Sequence, residues 1–224
     1  MGLTVAQEII TKTQFVLIDT GIRWTPAELL GWLNDGQRDI AINVPNATVK
    51  QAVIQLQPGV LQTIPSDGIR LVEITHSMGL DGQTPGPGIT VVDRLELEQV
   101  NISWASNAPS AYPNHYMWQP RIPTQFYVYP AQPKTSCGWI ELFYDQIPAD
   151  VPTLTGTITI NDIYQAALVD YILYRCFLKD AEYASTVRAK GHWEAFLYAT
   201  GRKSQDDVSQ GPDFNQAPRD KENG

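Results

Sequence analysis

Apolar positions change their period twice along the chain. Near the N-terminus they recur at helical spacing: Val5, Ile9 and Val16 share one face of a first predicted helix, and Leu29, Leu33 and Ile40 one face of a second. The first helix reads as starting at Thr4, with Gln7 three residues on in capping-box spacing. The second start is sharper: Thr25 caps, Pro26 takes the first helical position and Glu28 follows three residues after the cap. Gly36 interrupts this helix. A mid-helix glycine costs about 1 kcal/mol against alanine, so it predicts a second helix packed close.

From Pro45 the period shortens. Thirteen of the 16 prolines fall between Pro45 and Pro152, which excludes long helices from that stretch. AVIQL (Ala52–Leu56), IRLVEI (Ile69–Ile74), HYMW (His115–Trp118), FYVY (Phe126–Tyr129) and WIELFY (Trp139–Tyr144) are branched and aromatic, and read as strands. QPRIPTQ between Trp118 and Phe126 reads as a hairpin turn, and LDGQTPGPG (Leu80–Gly88) as an exposed loop. VVDRLELEQVN (Val91–Asn101) fits a strand or a short helix. GTITI (Gly156–Ile160) is strand-like and leads back to helical spacing.

That spacing resumes with Asn161 or Asp162 as cap. Between Ile163 and Leu178 apolar or aromatic residues fall on every side of the helical wheel, so this helix needs partners on more than one side. A place between its own domain and a neighbouring subunit would supply them. After a break near Lys179–Asp180, Tyr183, Val187, Trp193 and Leu197 form one stripe with Phe196 beside it, and Gly201 reads as a helix stop. Gly201–Gly224 carries little apolar content beyond Val208 and Phe214, and is expected to be disordered alone. The predicted class is α+β: a mostly α-helical bundle of two N-terminal and two C-terminal helices (1–44 and 158–200), a β-rich insert (45–157) and a flexible C-terminal tail (201–224).

Composition narrows the function. A formal net charge of −8 argues against a surface that coats nucleic acid, which needs clustered Lys and Arg. Cys137 and Cys176 lie far apart and form no CxxC pair, which suits a reducing compartment and no disulfide or zinc framework. MGLTVAQEIITKTQF lacks the basic start and continuous apolar core of a secretory signal, and Ala6 stands where a myristoylation pattern has Ser or Thr. No apolar run approaches bilayer length, so the expectation is a soluble protein made in the cytosol with no membrane partner.

Chemistry-bearing constellations are sparse. His76, His115 and His192 are isolated and read as surface or packed residues. GQTPGPG has no Lys-Ser/Thr ending and is no phosphate loop; no G-x-S-x-G elbow occurs. No cofactor, metal or catalytic residue is expected. Asp93, Glu96 and Glu98 around Arg94 read as a self-paired, solvated edge or as a cation site. Tyr112, Tyr116, Trp118, Tyr127 and Tyr129 fit either core packing with cross-strand pairs or a platform for a sugar or protein partner. Asp170 and Arg175 interrupt the all-round apolar helix; they either pair across a subunit seam or reach a wet edge of the bundle.

One stretch carries more. ALVDYILYRCFLKDAEYASTVRAKGHWEAF (Ala167–Phe196) resembles the closing helix pair of phage head-to-tail connectors, the adaptor or tail-tubular proteins of short-tailed phages. RWTPAELLGWLNDGQRDI, SDGIRLVEITHSMGLDG, VVDRLEL, HYMWQPRIPTQFYVYPAQP, WIELFYDQIPADV and INDIYQAALVDY extend the resemblance, in order, to nearly the whole chain. It implies a structural virion protein, not an enzyme, that forms a dodecameric ring in the neck of the tail. The ring sits between the portal and the tail nozzle or tail-tube protein, and DNA passes through its lumen without specific binding. Assembly in the host cytoplasm is expected. The candidate subunit interface is Asp170, Tyr171, Tyr174, Arg175 and Phe177. The resemblance places a portal contact in the C-terminal extension, at Arg202, Lys203, Val208 and Phe214. The competing reading is a glycan- or surface-binding tail accessory module built on the insert's aromatics.

Overall fold

The computed structural model describes residues 5–44, 46–179 and 185–210, residues 202–210 by their backbone only. Along the chain come α1 (Ala6–Leu17), α2 (Pro26–Asn43), β1 (Val49–Gln55), β2 (Gly59–Thr63), β3 (Gly68–Ser77), β4 (Thr90–Val91), α3 (Arg94–Val100), β5 (His115–Trp118), β6 (Gln125–Gln132), β7 (Trp139–Gln146), α4 (Gln165–Lys179) and α5 (Thr186–Gln210). They form two compact units, Met1–Pro45 with Val151–Gly224, and Asn46–Asp150.

In the first unit α4 packs against α1, α2 and α5. Thr25 caps α2 by accepting the Glu28 N–H, with Pro26 at the helix start. At α1 Val5 holds the cap position without a side-chain bond, and Thr4 lies outside the described residues. The orphan N–H groups of Ala6 and Gln7 are met instead by the carbonyls of Gly156 and Leu154, each at 2.9 Å. That tertiary cap claims the GTITI segment, which forms no strand and only a single bridge, Val5 to Thr157. Gln37, fully buried, accepts the Thr159 N–H at 2.8 Å. Asn34 accepts the Val151 N–H at 2.9 Å and gives an N–H back to its carbonyl. These two amides stitch the returning chain to α2.

In the second unit β1, β7 and β3 form one antiparallel sheet, and β2, β6, β5 and β4 a mixed one in which only β4 runs parallel to its neighbour β5. β1 pairs with β7 without a register shift, Val49 to Asp145 through Gln55 to Trp139. Leu56, Ile74, Phe126, Ile140, Leu142 and Tyr144 meet in a core of this unit's own.

The expected mostly α-helical bundle is therefore overturned. Five helices and seven strands in two sheets make up the described chain, and the fifth helix, α3, belongs to the β-rich unit. The prolines lie mainly in the connections, so alternating apolar positions are free to pair into sheets that bury a core. The ambiguous VVDRLELEQVN resolves into β4 and α3, with Asp93 capping α3 through the Leu95 N–H at 2.7 Å. The helix stop at Gly201 is also overturned: α5 runs through it to Gln210. Residues 211–224, with the rest of the expected disordered tail, lie outside the described residues. On α1, Val16 is exposed, and Ala6, Ile9, Ile10 and Thr13 form the buried face. On α5, Val187 and Leu197 are exposed while Ala189, Phe196 and Thr200 are buried; Tyr183 lies outside the described residues.

Candidate subunit interface

Among the described residues of the helical unit, the end of α1 carries the most exposed large apolar side chains. Phe15 is 86% exposed, Ile18 94% and Ile22 87%. Ile18 closes the helix in the left-handed conformation, φ 52°, where glycine is the usual residue. A β-branched residue there costs about 1–2 kcal/mol of backbone strain. No burial within the described chain offsets that cost.

The loop that follows is rigid for a definable reason. The Asp19 carboxylate accepts the N–H groups of Gly21 at 3.0 Å, Arg23 at 3.3 Å and Trp24 at 3.4 Å. Burial works against its charged form, but these backbone bonds outweigh it and hold the carboxyl below its ordinary range. The Arg23 guanidinium lies over the Trp24 ring at 4.6 Å, and that of Arg188, from α5, lies 5.7 Å from the Phe177 ring centre. Between them opens a concavity of about 410 Å³ lined by Val16, Ile18, Asp19, Arg23, Trp24, Phe177 and Arg188, among others. A second hollow, about 310 Å³, lies on the other side of Val16 and includes Val169 and Asp170. The arrangement offers apolar contact bordered by two preorganised cations. It suits protein association and brings together no acid, base and nucleophile.

The five sequence-derived interface residues have partners inside the chain. Tyr171, Arg175 and Lys179 run down one side of α4 against α2. Tyr171 bonds to Asp39, Arg175 Nη2 lies 4.0 Å from Asp35 Oδ2, and Lys179 Nζ lies 2.6 Å from Glu28 Oε2. Burial, and then the Asp39 carboxylate, push the Tyr171 hydroxyl up to about 12. Asp170, Tyr174 and Phe177 face α5: Asp170 Oδ1 meets His192 Nδ1 at 2.8 Å, Tyr174 packs on Trp193 at 4.9 Å, and Phe177 stacks on His192 at 5.7 Å. α1, α2 and α5 thus cover most of α4, while Leu178 on it and Ile163 just before it stay exposed. Asp170 and Phe177 also reach the hollows beside α1.

Sequence reasoning missed Phe15, Ile18, Ile22 and Arg188. A readable signal was present: Ile18 and Ile22 are large apolar residues within five positions of a turn rich in Asp, Thr and Gly. Of the C-terminal candidates, Arg202, Lys203 and Val208 fall in the backbone-only part of α5, and Phe214 lies outside the described residues.

Most of the remaining sequence candidates are absorbed by packing. Tyr116 is buried, Tyr127 and Tyr129 meet Trp104 edge to face, and His115 stacks on Tyr129; Tyr112 and Trp118 stay exposed at separate places in the chain. His76 lies 3.4 Å from Glu141. Around α3, Arg94 pairs with Glu98 at 3.3 Å, and no metal-holding group of side chains occurs among the described residues. In the Leu80–Gly88 loop Asp81 accepts the Gln83 and Thr84 N–H groups and the Thr84 hydroxyl, which hold its carboxyl at about 2. Both thiols are buried; burial first, then Glu28, push Cys176 up to about 12.

Compared with known proteins, residues 4–216 match the model of the family described as SU10 adaptor protein. No curated protein matches the chain.

Proposed function

The chain belongs to the SU10 adaptor protein family, a phage adaptor family whose members are structural components of the virion, and on that premise we propose that it works as a homo-oligomeric ring between the portal and the tail nozzle. The ring is dodecameric, as the resemblance to head-to-tail connectors implies. It is assembled in the host cytoplasm and occupies the neck of the virion, with DNA passing through its lumen. The observation that carries the reading is the exposed ledge at the end of α1, where Ile18 keeps a strained conformation with its side chain in solvent. A surface of that kind is stabilised by a partner, and the repeated partner in a ring is another copy. The seam is assigned to this ledge, with Asp170 and Phe177 at its border; Tyr171, Tyr174 and Arg175 support it from inside the helical unit.

The net charge of −8 suits a channel whose walls repel phosphate and do not hold DNA. The portal contact is assigned to the segment after Thr200, a buried residue of α5, with Arg202, Lys203, Val208 and Phe214 as its anchors. The Leu80–Gly88 loop, held in one shape by Asp81, is assigned to the tail side. No catalytic role is proposed.

Light-scattering mass after size exclusion, for the protein alone and mixed with the portal ring of its own genome, tests the proposal. A stoichiometric ring-on-ring complex that is lost on deleting Gly201–Gly224 supports both the ring and the portal contact. A protein that stays monomeric alone and with the portal overturns them.

A further inference from the structure

One strand of the β-rich unit is left with an open edge. β1 pairs with β7 alone. At the two ends of that ladder the Gln146 N–H donates to the Thr48 carbonyl at 3.0 Å and the Leu56 N–H to the Gly138 carbonyl at 2.9 Å. Between them the register does not shift. In an antiparallel ladder a residue turns both backbone groups to one side, and the next residue turns both to the other. Lys50, Ala52 and Ile54 therefore bond β7, while Val49, Gln51, Val53 and Gln55 direct N–H and C=O away from the sheet. Among the described residues these outward groups have no partner.

The other edge of the same sheet is closed. On β3 the Ser77 N–H donates to the Pro87 carbonyl, the Leu71 N–H to that of Pro123, and the Thr75 carbonyl accepts the Ile89 N–H, each at 2.9 Å. β1 also lacks the devices that blunt a bare edge. It has no proline and no bulge, and its single charge, Lys50, is tied to Asp67 at 3.3 Å. Ala52 and Ile54 lie only half-buried against the core, and Val49 and Val53 are exposed. A strand laid along β1 gains main-chain bonds and covers Ala52 and Ile54.

We infer that β1 takes up an extended segment of the tail nozzle protein as an added strand, with apolar side chains at alternate positions of that segment over Ala52 and Ile54. This rests on the ring and on the tail-side assignment of the Leu80–Gly88 loop proposed above. The sheet links that loop to the open edge through Trp139. On one side Trp139 pairs with Gln55, the last residue of β1. On the other its carbonyl accepts the Met78 N–H at 2.7 Å and its N–H donates to the Gly79 carbonyl at 3.0 Å. A Cβ on Gly82 would lie 2.9 Å from the Trp139 ring. The loop thus starts two strand spacings, about 10 Å, from the end of the open edge, and a protein that meets the loop is placed to reach β1. Pairing with β1 of a second copy is two-fold and stops at a dimer, whereas ring neighbours meet through different surfaces.

Hydrogen exchange at residue resolution tests this on the chain alone, on its ring with the portal, and on that ring with the nozzle protein of the same genome. The Gln51, Val53 and Gln55 amides exchange fast in the first two states and slow by about tenfold or more in the third. The Lys50, Ala52 and Ile54 amides stay protected throughout and report that the sheet is intact. Val53→Pro removes one outward N–H and no bond to β7, so circular dichroism matches the parent while nozzle binding falls about tenfold. Outward amides already protected in the chain alone or in the portal ring would show that a second copy or the portal holds the edge, and overturn the assignment. If the nozzle protein joins the ring while these amides stay open, or Val53→Pro binds it as well as the parent, the β1 contact is overturned and the tail-side reading stands. If the nozzle protein does not join the ring, that reading fails and the β1 contact fails with it.

Discussion

Gly36 and Tyr171 are packed so closely that a Cβ on the glycine would lie 3.0 Å from Cδ1 of the ring. Leu168 closes the same spot at 3.1 Å, so α2 meets α4 where Gly36 leaves it without a side chain. Tyr171 is pinned from behind by Phe196, ring centres 5.3 Å apart, and cannot swing away.

Gly36→Ala should therefore destabilise the protein. Helix propensity favours alanine by about 1 kcal/mol, but overpacking a filled core costs about 1–3 kcal/mol. The expected net loss is about 1 kcal/mol, read as a lower urea midpoint at unchanged slope, with Gly36→Val losing more. A midpoint that rises would show that the ring yields.

Gln37→Leu keeps the side-chain bulk and removes the amide. The Thr159 N–H and hydroxyl, which it serves at 2.8 and 3.1 Å, then lose their acceptor in a partly buried site. Thr159 is itself exposed, so water partly replaces the lost acceptor and the expected loss is about 1 kcal/mol, the low end of the range for an unsatisfied donor. Urea denaturation measures the loss, and faster hydrogen exchange at the Thr159 amide localises it. An unchanged midpoint would mean that the stitch to α2 contributes nothing.

Tyr171 makes stability fall at alkaline pH. Its hydroxyl titrates near about 12 in the folded chain against 10.0 for the free group. Between those values the unfolded chain has released a proton that the folded chain retains, so unfolding is favoured as pH rises. The contribution is complete below pH 10 and lost by about 12. Tyr171→Phe should flatten this window of the stability profile. Tyrosinate absorbance during titration checks it directly, and a profile unchanged by the substitution would place the alkaline loss elsewhere.

Ile18→Gly should separate stability from assembly. Glycine accepts the left-handed backbone without strain, so the isolated chain gains about 1 kcal/mol in denaturant. The same change removes an apolar anchor from the ledge and reduces ring formation on the portal. A variant that is both more stable and fully competent in assembly would remove Ile18 from the seam.

Local signals were legible where the physics is local. Thr25-Pro26 and Glu28 mark the start of α2 because a cap needs only its own next turn, and Gly36 announces a close neighbour because an unfavoured residue inside a helix needs a compensating contact. Alternation in the five branched or aromatic runs was enough for β1, β3, β5, β6 and β7. β2 and β4 escaped it, since β2 carries a register shift near Gly59 and β4 is only two residues long.

What the linear pattern determined by itself was which residues need burial: the all-round apolarity of Ile163–Leu178 required partners on several sides, and the resemblance running through the chain placed it among the phage adaptors. Which partners those are was decided by tertiary structure. The carbonyls of Leu154 and Gly156 cap α1, Asp35 and Asp39 take Arg175 and Tyr171, and large apolar residues are left open at the end of α1 as well as at Leu178 of α4. The physical reason is that burial is a property of position in space. Periodicity states that a side chain must be covered, and only the path of the remaining chain determines whether the cover is its own or a neighbour's.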